Sequence, residues 1–306
     1  MKTDSPAVEV LDLNCPHGSL KKVSFEIPRG SVYALLGANG SGKSTLLRAL
    51  LNIHAPASGV IRVLGRESTS LEPGDWARLG YVSDNPSLPE YLTLVELIAY
   101  CRPQYPDWDD ALCRRLQDQF ALPGNRRLAG FSRGMKIKAA LLVSLAYRPS
   151  LLILDEPFNG LDVVMRDELI QGLLELAGDG EFTVLLTSHD LEEIERLADR
   201  VGLLDRGTLH LSEPLDDLRE RFRRVDIAVM GGARLPETLP DTCLLPEAGA
   251  SHVRWIDSRY AGDAAVAETV ARLFPPGTSF VTSPLSLREI LITLIKALRL
   301  QPLNIP

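Results

Sequence analysis

The chain has 306 residues, of which 45% are hydrophobic and 24% charged, and its net charge is −7. That balance supports a sizeable buried core, excludes a disordered chain, and supplies no global basic field to recruit nucleic acid. Length alone predicts roughly two domains.

The opening residues 1–10 carry Asp4 and Glu9 and lack the apolar stretch of a signal peptide. Short alternating strands are predicted at residues 8–13, around Val23, Phe25 and Ile27, and at 59–64. Their single polar face indicates an antiparallel sheet. Residues 32–36, 151–154 and 183–187 are near-continuous apolar runs instead, as expected for parallel strands buried on both faces. Between residues 92 and 147 the pattern is mostly helical, which predicts a helical subdomain at about 90–148 inserted into the sheet. Asp205-Arg206-Gly207 reads as a hairpin turn and residues 214–222 as a closing helix.

The character changes near residue 224, giving expected domains at 1–223 and 224–306. In the second, strands at 225–230 and 253–256 are separated by a Pro/Gly-rich stretch, 231–251. One helix carries Val266, Val270, Leu273 and Phe274; another carries Leu287, Ile290, Leu291, Leu294, Ile295 and Leu298. The latter is amphipathic and is expected to pack onto its own domain rather than lie on a membrane. There is no internal repeat and no run of about 18 apolar residues. Cys15, Cys101, Cys113 and Cys243 are scattered without C-x-x-C spacing, which predicts reduced structural thiols in a cytosol.

Gly37-Ala38-Asn39-Gly40-Ser41-Gly42-Lys43-Ser44 follows the first apolar run and precedes a helical pattern at 45–51. It fits G-x-x-x-x-G-K-[ST] in the strand–loop–helix context that a phosphate-binding loop requires. Its glycines let successive N–H groups turn inward as an anion nest, and the helix start adds unpaired N–H groups and a positive dipole end. Lys43 is expected between the β- and γ-phosphates of a nucleoside triphosphate, with the Ser44 hydroxyl on Mg²⁺ and Thr45 opening the helix beside them.

Leu151-Leu152-Ile153-Leu154-Asp155-Glu156-Pro157 is an apolar strand ending in two carboxylates. Asp155 is expected to hold magnesium through its water shell, and Glu156 to polarise the attacking water. A helix at 163–176 leads to the strand 183–188 and directly to His189. A right-handed crossover brings both strand ends to one edge, so His189 is expected to reach the γ-phosphate. Phe131-Ser132-Arg133-Gly134-Met135 precedes a helical segment, 136–147, with Ser132 as N-cap.

In this order, with Gly160-Leu161-Asp162 between the carboxylates and His189, the motifs closely resemble the ATP-binding subunit of ABC transporters over about residues 7–222. The resemblance implies an α/β fold: a P-loop NTPase ABC cassette with a parallel core sheet, an antiparallel flank and an inserted helical subdomain. A small α+β C-terminal domain would follow. It implies ATP and Mg²⁺ as cofactors and two cassettes, as homodimer or heterodimer, sandwiching two ATP molecules head to tail. Ser132 and Gly134 would then bind the partner's ATP and Asp162 would sit in the loop coupling the two sites. Glu156 would be the catalytic base and His189 the switch histidine. A separately encoded membrane permease is implied as partner, with the chain cytoplasmic and peripheral on the inner face of the plasma membrane, and no nucleic acid. The coupling surface would span residues 84–106 and the following helix through Phe120. Tyr91, Tyr100, Tyr105 and Trp108 lie in or beside it, and core packing is expected for at least half of them.

Three departures qualify the resemblance. Arg133 and Met135 stand where the signature usually has glycine and glutamine, a Ser-x-Gly-Met-Lys form similar to the bacterial drug- and bacitracin-export branch. Asp84, in Tyr81-Val82-Ser83-Asp84, replaces the usual glutamine; it is expected to approach Mg²⁺ while adding negative charge beside the triphosphate. No aromatic stands near residues 14–18 to stack on adenine, and His17 is either a weak substitute or a loop residue without a role. Two other readings stay open: a soluble ABC-type ATPase acting on ribosomes or DNA, and a regulatory ATPase whose C-terminal segment senses a ligand. Repair-type members carry long coiled coils, and no sustained heptads occur here.

Overall fold

The uninterrupted apolar runs become the middle of a parallel sheet. The structure, a computed structural model, describes residues 5–16, 19–177, 182–229 and 234–300. It divides into two compact units, Met1–Ser212 and Glu213–Pro306.

The first unit begins β1 (Val8–Cys15), β2 (Leu20–Ile27), β3 (Val32–Leu36), α1 (Lys43–Leu50), β4 (Ser58–Val63), β5 (Arg66–Glu67), α2 (Pro73–Trp76) and β6 (Leu79–Val82). Three helices follow before the sheet resumes: α3 (Leu94–Cys101), α4 (Asp110–Gln119) and α5 (Arg133–Leu145). Then come β7 (Leu151–Asp155), α6 (Val163–Ala177), β8 (Thr183–Ser188), α7 (Leu191–Leu197), β9 (Arg200–Asp205) and β10 (Thr208–Pro214).

The main sheet has the order β10-β9-β3-β8-β7-β6, and its pairings from β9 through β6 are all parallel. Every residue of β3, β7 and β8 is buried, the condition of strands covered on both faces. The register sets Leu36 beside Ser188 and Asp155 beside Thr187, so the ends of β3, β7 and β8 lie along one edge. The alternating strands form the separate antiparallel sheet β2-β1-β4-β5. Their inward residues, among them Val10, Leu13 and Phe25, share a core with Leu46 and Leu50 of α1 and Ile153 of β7. Arg206 and Gly207 both have positive φ, 49° and 82°, as a two-residue turn between twisted strands requires. Of the four aromatics expected near the helical segment, Tyr105 stacks on Tyr147 at 3.9 Å and Trp108 is half-buried, whereas Tyr91 and Tyr100 are exposed.

The second unit contains α8 (Leu215–Arg221), β11 (Arg223–Ala228), β12 (Cys243–Ala248), β13 (His252–Asp257), α9 (Asp263–Leu273), β14 (Phe280–Pro284) and α10 (Leu287–Leu300). Its antiparallel sheet, ordered β12-β13-β11-β14, packs Val225, Ile227, Val253 and Trp255 against Val266, Val270 and Phe274. The stripe of α10 is turned inward, with Leu287, Ile290, Leu291 and Leu294 buried, and the helix packs against β12. The division after Ser212 falls ahead of the expected 223/224 boundary. It gives α8 to the second unit, where Arg221 pairs with Glu213 at 2.6 Å and donates to the Ser258 carbonyl at 2.8 Å.

Strands β12 and β14 were not predicted. In β12 the register shifts between Leu244 and Glu247, around Leu245 at φ 47° and Pro246, so a bulge on an edge strand breaks the alternation. Among the described residues all four cysteines are free, and no helix is long and apolar enough to cross a membrane.

Trp255 is 1% exposed and stacks on Phe274 with centroids 6.3 Å apart. Trp255→Ala should destabilise the second unit by about 3–5 kcal/mol, read as an earlier urea transition in far-UV circular dichroism. A loss below about 1 kcal/mol would show that the indole does not anchor this core.

Candidate functional site

Because β3 ends at Leu36 and α1 starts at Lys43, the intervening residues form the turn from strand to helix. Gly42 caps the helix at φ 113°, a left-handed conformation that a side chain would strain. Gly37 is required for a different reason: a Cβ there would lie 2.3 Å from the Leu204 carbonyl oxygen and 2.5 Å from Ser41 Oγ. Ser41 is buried in this packed turn, and its hydroxyl has no hydrogen-bond partner among the described residues. Lys43, 6% exposed, folds back over the turn and donates to the Gly37 carbonyl at 2.7 Å.

The neighbouring strand ends bring the carboxylates to this lysine. Asp155, buried at the end of β7, accepts a 2.7 Å hydrogen bond from Thr187 Oγ1 of β8. Thr187 Oγ1 in turn accepts from the Glu156 amide at 2.9 Å. Glu156 takes a left-handed conformation, φ 47°, rare for a residue with a Cβ. Its Oε1 lies 3.0 Å from Lys43 Nζ, an ion pair without an aligned hydrogen bond. Its Oε2 lies 2.8 Å from His189 Nδ1. Lys43, Glu156 and His189 are thus joined in one chain of contacts.

Around that chain is a cleft of about 450 Å³ lined by Ala38, Asn39, Gly40, Ser41, Gly42, Lys43, Ser44, Thr45, Asp84, Asp155, Glu156 and His189. Sequence reasoning named all of these. It missed Ser19, Arg48 and Asn159, which complete the lining, and Thr187, which fixes both carboxylate residues. A threonine directly after the apolar run Val184–Leu186, one residue from the strand end, was the available signal for Thr187. Ser132, Gly134 and Asp162 lie outside the cleft of their own chain. Ser132 caps α5 by accepting from the Met135 amide at 3.3 Å, and Asp162 accepts from the Met165 amide at 2.9 Å. Gly134 is buried where a Cβ would come within 2.7 Å of Met165 Sδ, so the start of α5 rests on the start of α6. His17 lies outside the described residues.

Arg166 was also missed. It donates to the Leu161 carbonyl at 3.0 Å and, through Nη1, to Asp190 and Glu193 at 2.8 Å each. Burial pushes the Glu193 carboxyl up, and its hydrogen bond with Asp190 adds to the rise. At Asp190 burial acts the same way, but hydrogen bonds from Glu193, the Glu192 amide and Arg166 outweigh it and hold that carboxyl low. The residue beside His189 thereby keeps a negative charge paired to Arg166.

Among the described residues no group of three or more His, Cys, Asp or Glu side chains could hold a metal alone. The cleft instead offers oxygen donors from Ser44, Asp155 and Asp84. This set suits magnesium, which keeps water and takes phosphate oxygens alongside one or two carboxylates. The unpartnered Ser41 hydroxyl and the Lys43 ammonium, both lining the cleft, suit a phosphate chain equally well.

Residues 20–159 match the ABC transporter family. The ABC transporter ATP-binding protein YtrB of Bacillus subtilis is 33% identical over 231 residues, 75% of this chain and 78% of that protein. The bacitracin transport ATP-binding protein BcrA of Bacillus licheniformis is 33% identical over 225 residues, covering 72% and 74% of the two chains. The sulfate/thiosulfate import ATP-binding protein CysA of Escherichia coli K12 is 34% identical over 222 residues, covering 69% and 60%.

Gly37→Ala places its new methyl against a backbone oxygen that no side-chain rotation can move. A loss of ATP affinity of about tenfold or more is expected, measured by titration with a fluorescent ATP analogue. Unchanged affinity would show that the close approach at residue 37 is dispensable.

Proposed function

This chain belongs to the family of ATP-binding subunits of ABC transporters, and from that premise we propose that it works as one of a pair of cassettes driving a separately encoded permease, for export. It is an ATPase of the ABC type. The observation that carries the mechanistic reading is the convergence of Lys43 and His189 on the Glu156 carboxylate, beside Asp155.

Lys43 is paired here with Glu156 and the Gly37 carbonyl. The triphosphate would take over as its counter-charge, releasing Glu156 to accept a proton from the attacking water while His189 Nδ1 holds the other carboxylate oxygen. Ser44, Asp155 and Asp84 would hold magnesium. That ion would neutralise charge developing on the phosphates. Fixed strand ends keep these groups in place before the substrate arrives, which is the electrostatic part of catalysis.

Ser132, Gly134 and Asp162 would serve the partner's nucleotide. Supporting this, Ser132 and Asp162 are exposed, and Val163 and Val164 beside Asp162 are 81% and 67% exposed, an apolar pair that association would cover. Exposed Tyr91, before α3, and Val95 and Tyr100, near its two ends, supply apolar surface for the permease. The chain would be cytoplasmic and peripheral on the inner membrane face. Likeness to BcrA, which is named for bacitracin transport, favours export; a vesicle transport assay decides it against the import for which CysA is named.

Glu156→Gln should retain ATP binding and lose turnover by about 10²–10⁴-fold; substantial hydrolysis by the variant would remove Glu156 as the base. The tagged chain, purified from detergent-solubilised native membranes, should carry a stoichiometric polytopic membrane protein identifiable by mass spectrometry. Recovery only from the soluble fraction, with ribosomes or DNA factors, would replace the transport reading with the soluble ATPase.

A further inference from the structure

The two most pronounced departures from the family pattern meet in the fold. Arg133, where a glycine is usual, is the first residue of α5, and its Nη2 donates to the Asp84 carbonyl at 2.9 Å. Asp84, where a glutamine is usual, lines the cleft. The same guanidinium lies across Gly160, where a Cβ would come 3.1 Å from Nη1 and 3.6 Å from Cδ. Gly160 follows Asn159, another lining residue, and precedes the turn in which Asp162 caps α6. A single side chain therefore ties the first turn of α5 to both loops at the rim of the cleft. A glycine at position 133 could make neither contact.

We propose that Arg133 is a positioning residue: it fixes the Asp84 loop and makes that loop and the start of α5 move as one body. Nucleotide and magnesium bound in the chain's own cleft then set the orientation of Ser132 toward the nucleotide of the partner cassette, an extension that rests on the paired-cassette reading above. The physical basis is a charge-assisted hydrogen bond from a planar guanidinium that also lies over the Gly160 backbone.

The test uses the full chain with Arg133→Gly and Arg133→Lys. In nucleotide-free protein, amide hydrogen exchange around Asp84 should be about tenfold faster in Arg133→Gly and largely restored in Arg133→Lys. Affinity for a fluorescent ATP analogue should change less than about twofold, because Arg133 does not line the cleft. In a Glu156→Gln background, ATP-driven dimerisation followed by light scattering should need several-fold more ATP once Arg133→Gly is added. Unchanged exchange would overturn the anchoring, and faster exchange with unchanged dimerisation would overturn the relay to α5. A collapse of analogue affinity would make Arg133 part of the nucleotide site instead of a positioning residue. If the Glu156→Gln parent stays monomeric with ATP and Mg²⁺, the paired-cassette reading fails, and the exchange result alone decides whether Arg133 anchors Asp84.

Discussion

A buried ammonium group needs a counter-charge at every stage of its working cycle, and the site is organised around that need at Lys43. Leaving such a cation unpaired would cost several kcal/mol, so the lysine is held between the Gly37 carbonyl and the Glu156 carboxylate. Glu156 can serve as partner only because β7 ends beside β8 and both run parallel to β3. The apolar strands thus do more than bury surface. Their common direction is what delivers a cation, two carboxylates and an imidazole to the same edge.

Within that edge Thr187 adds a side-chain link from β8 to both Asp155 and Glu156. Beyond it the connections run through side chains alone: Arg166 joins the Leu161 turn to Asp190, the residue after His189. The groups closest to the phosphate loop are thereby fixed by backbone register, and the more distant ones by hydrogen-bonded arginines. A sheet edge is stiff, whereas an arginine contact can exchange one partner for another. The second kind of link suits parts of a molecule that rearrange on binding.

Much of this was legible in the sequence because it is local. The phosphate loop, the Asp155-Glu156 pair and His189 each sit at the end of an apolar run, and unbroken runs mark parallel strands. The antiparallel flank was legible from alternation alone. What escaped detection depends on partners distant in sequence: Thr187 acts on residue 155, Arg166 on residue 190 and Arg133 on residue 84. No spacing rule links such pairs before the chain is folded. Strands β12 and β14 escaped for a different reason, since they form the two edges of their sheet and the first is bulged at Leu245-Pro246.

The left-handed backbone at Glu156 has a consequence for how such a protein can change. A non-glycine residue in that conformation gives up about 1 kcal/mol or more, and glycine at the same position would recover much of it. That gain is smaller than the cost of leaving buried Lys43 without its counter-charge, so glycine would not offset the loss. Selection for resistance to heat alone would therefore hold a strained glutamate in place.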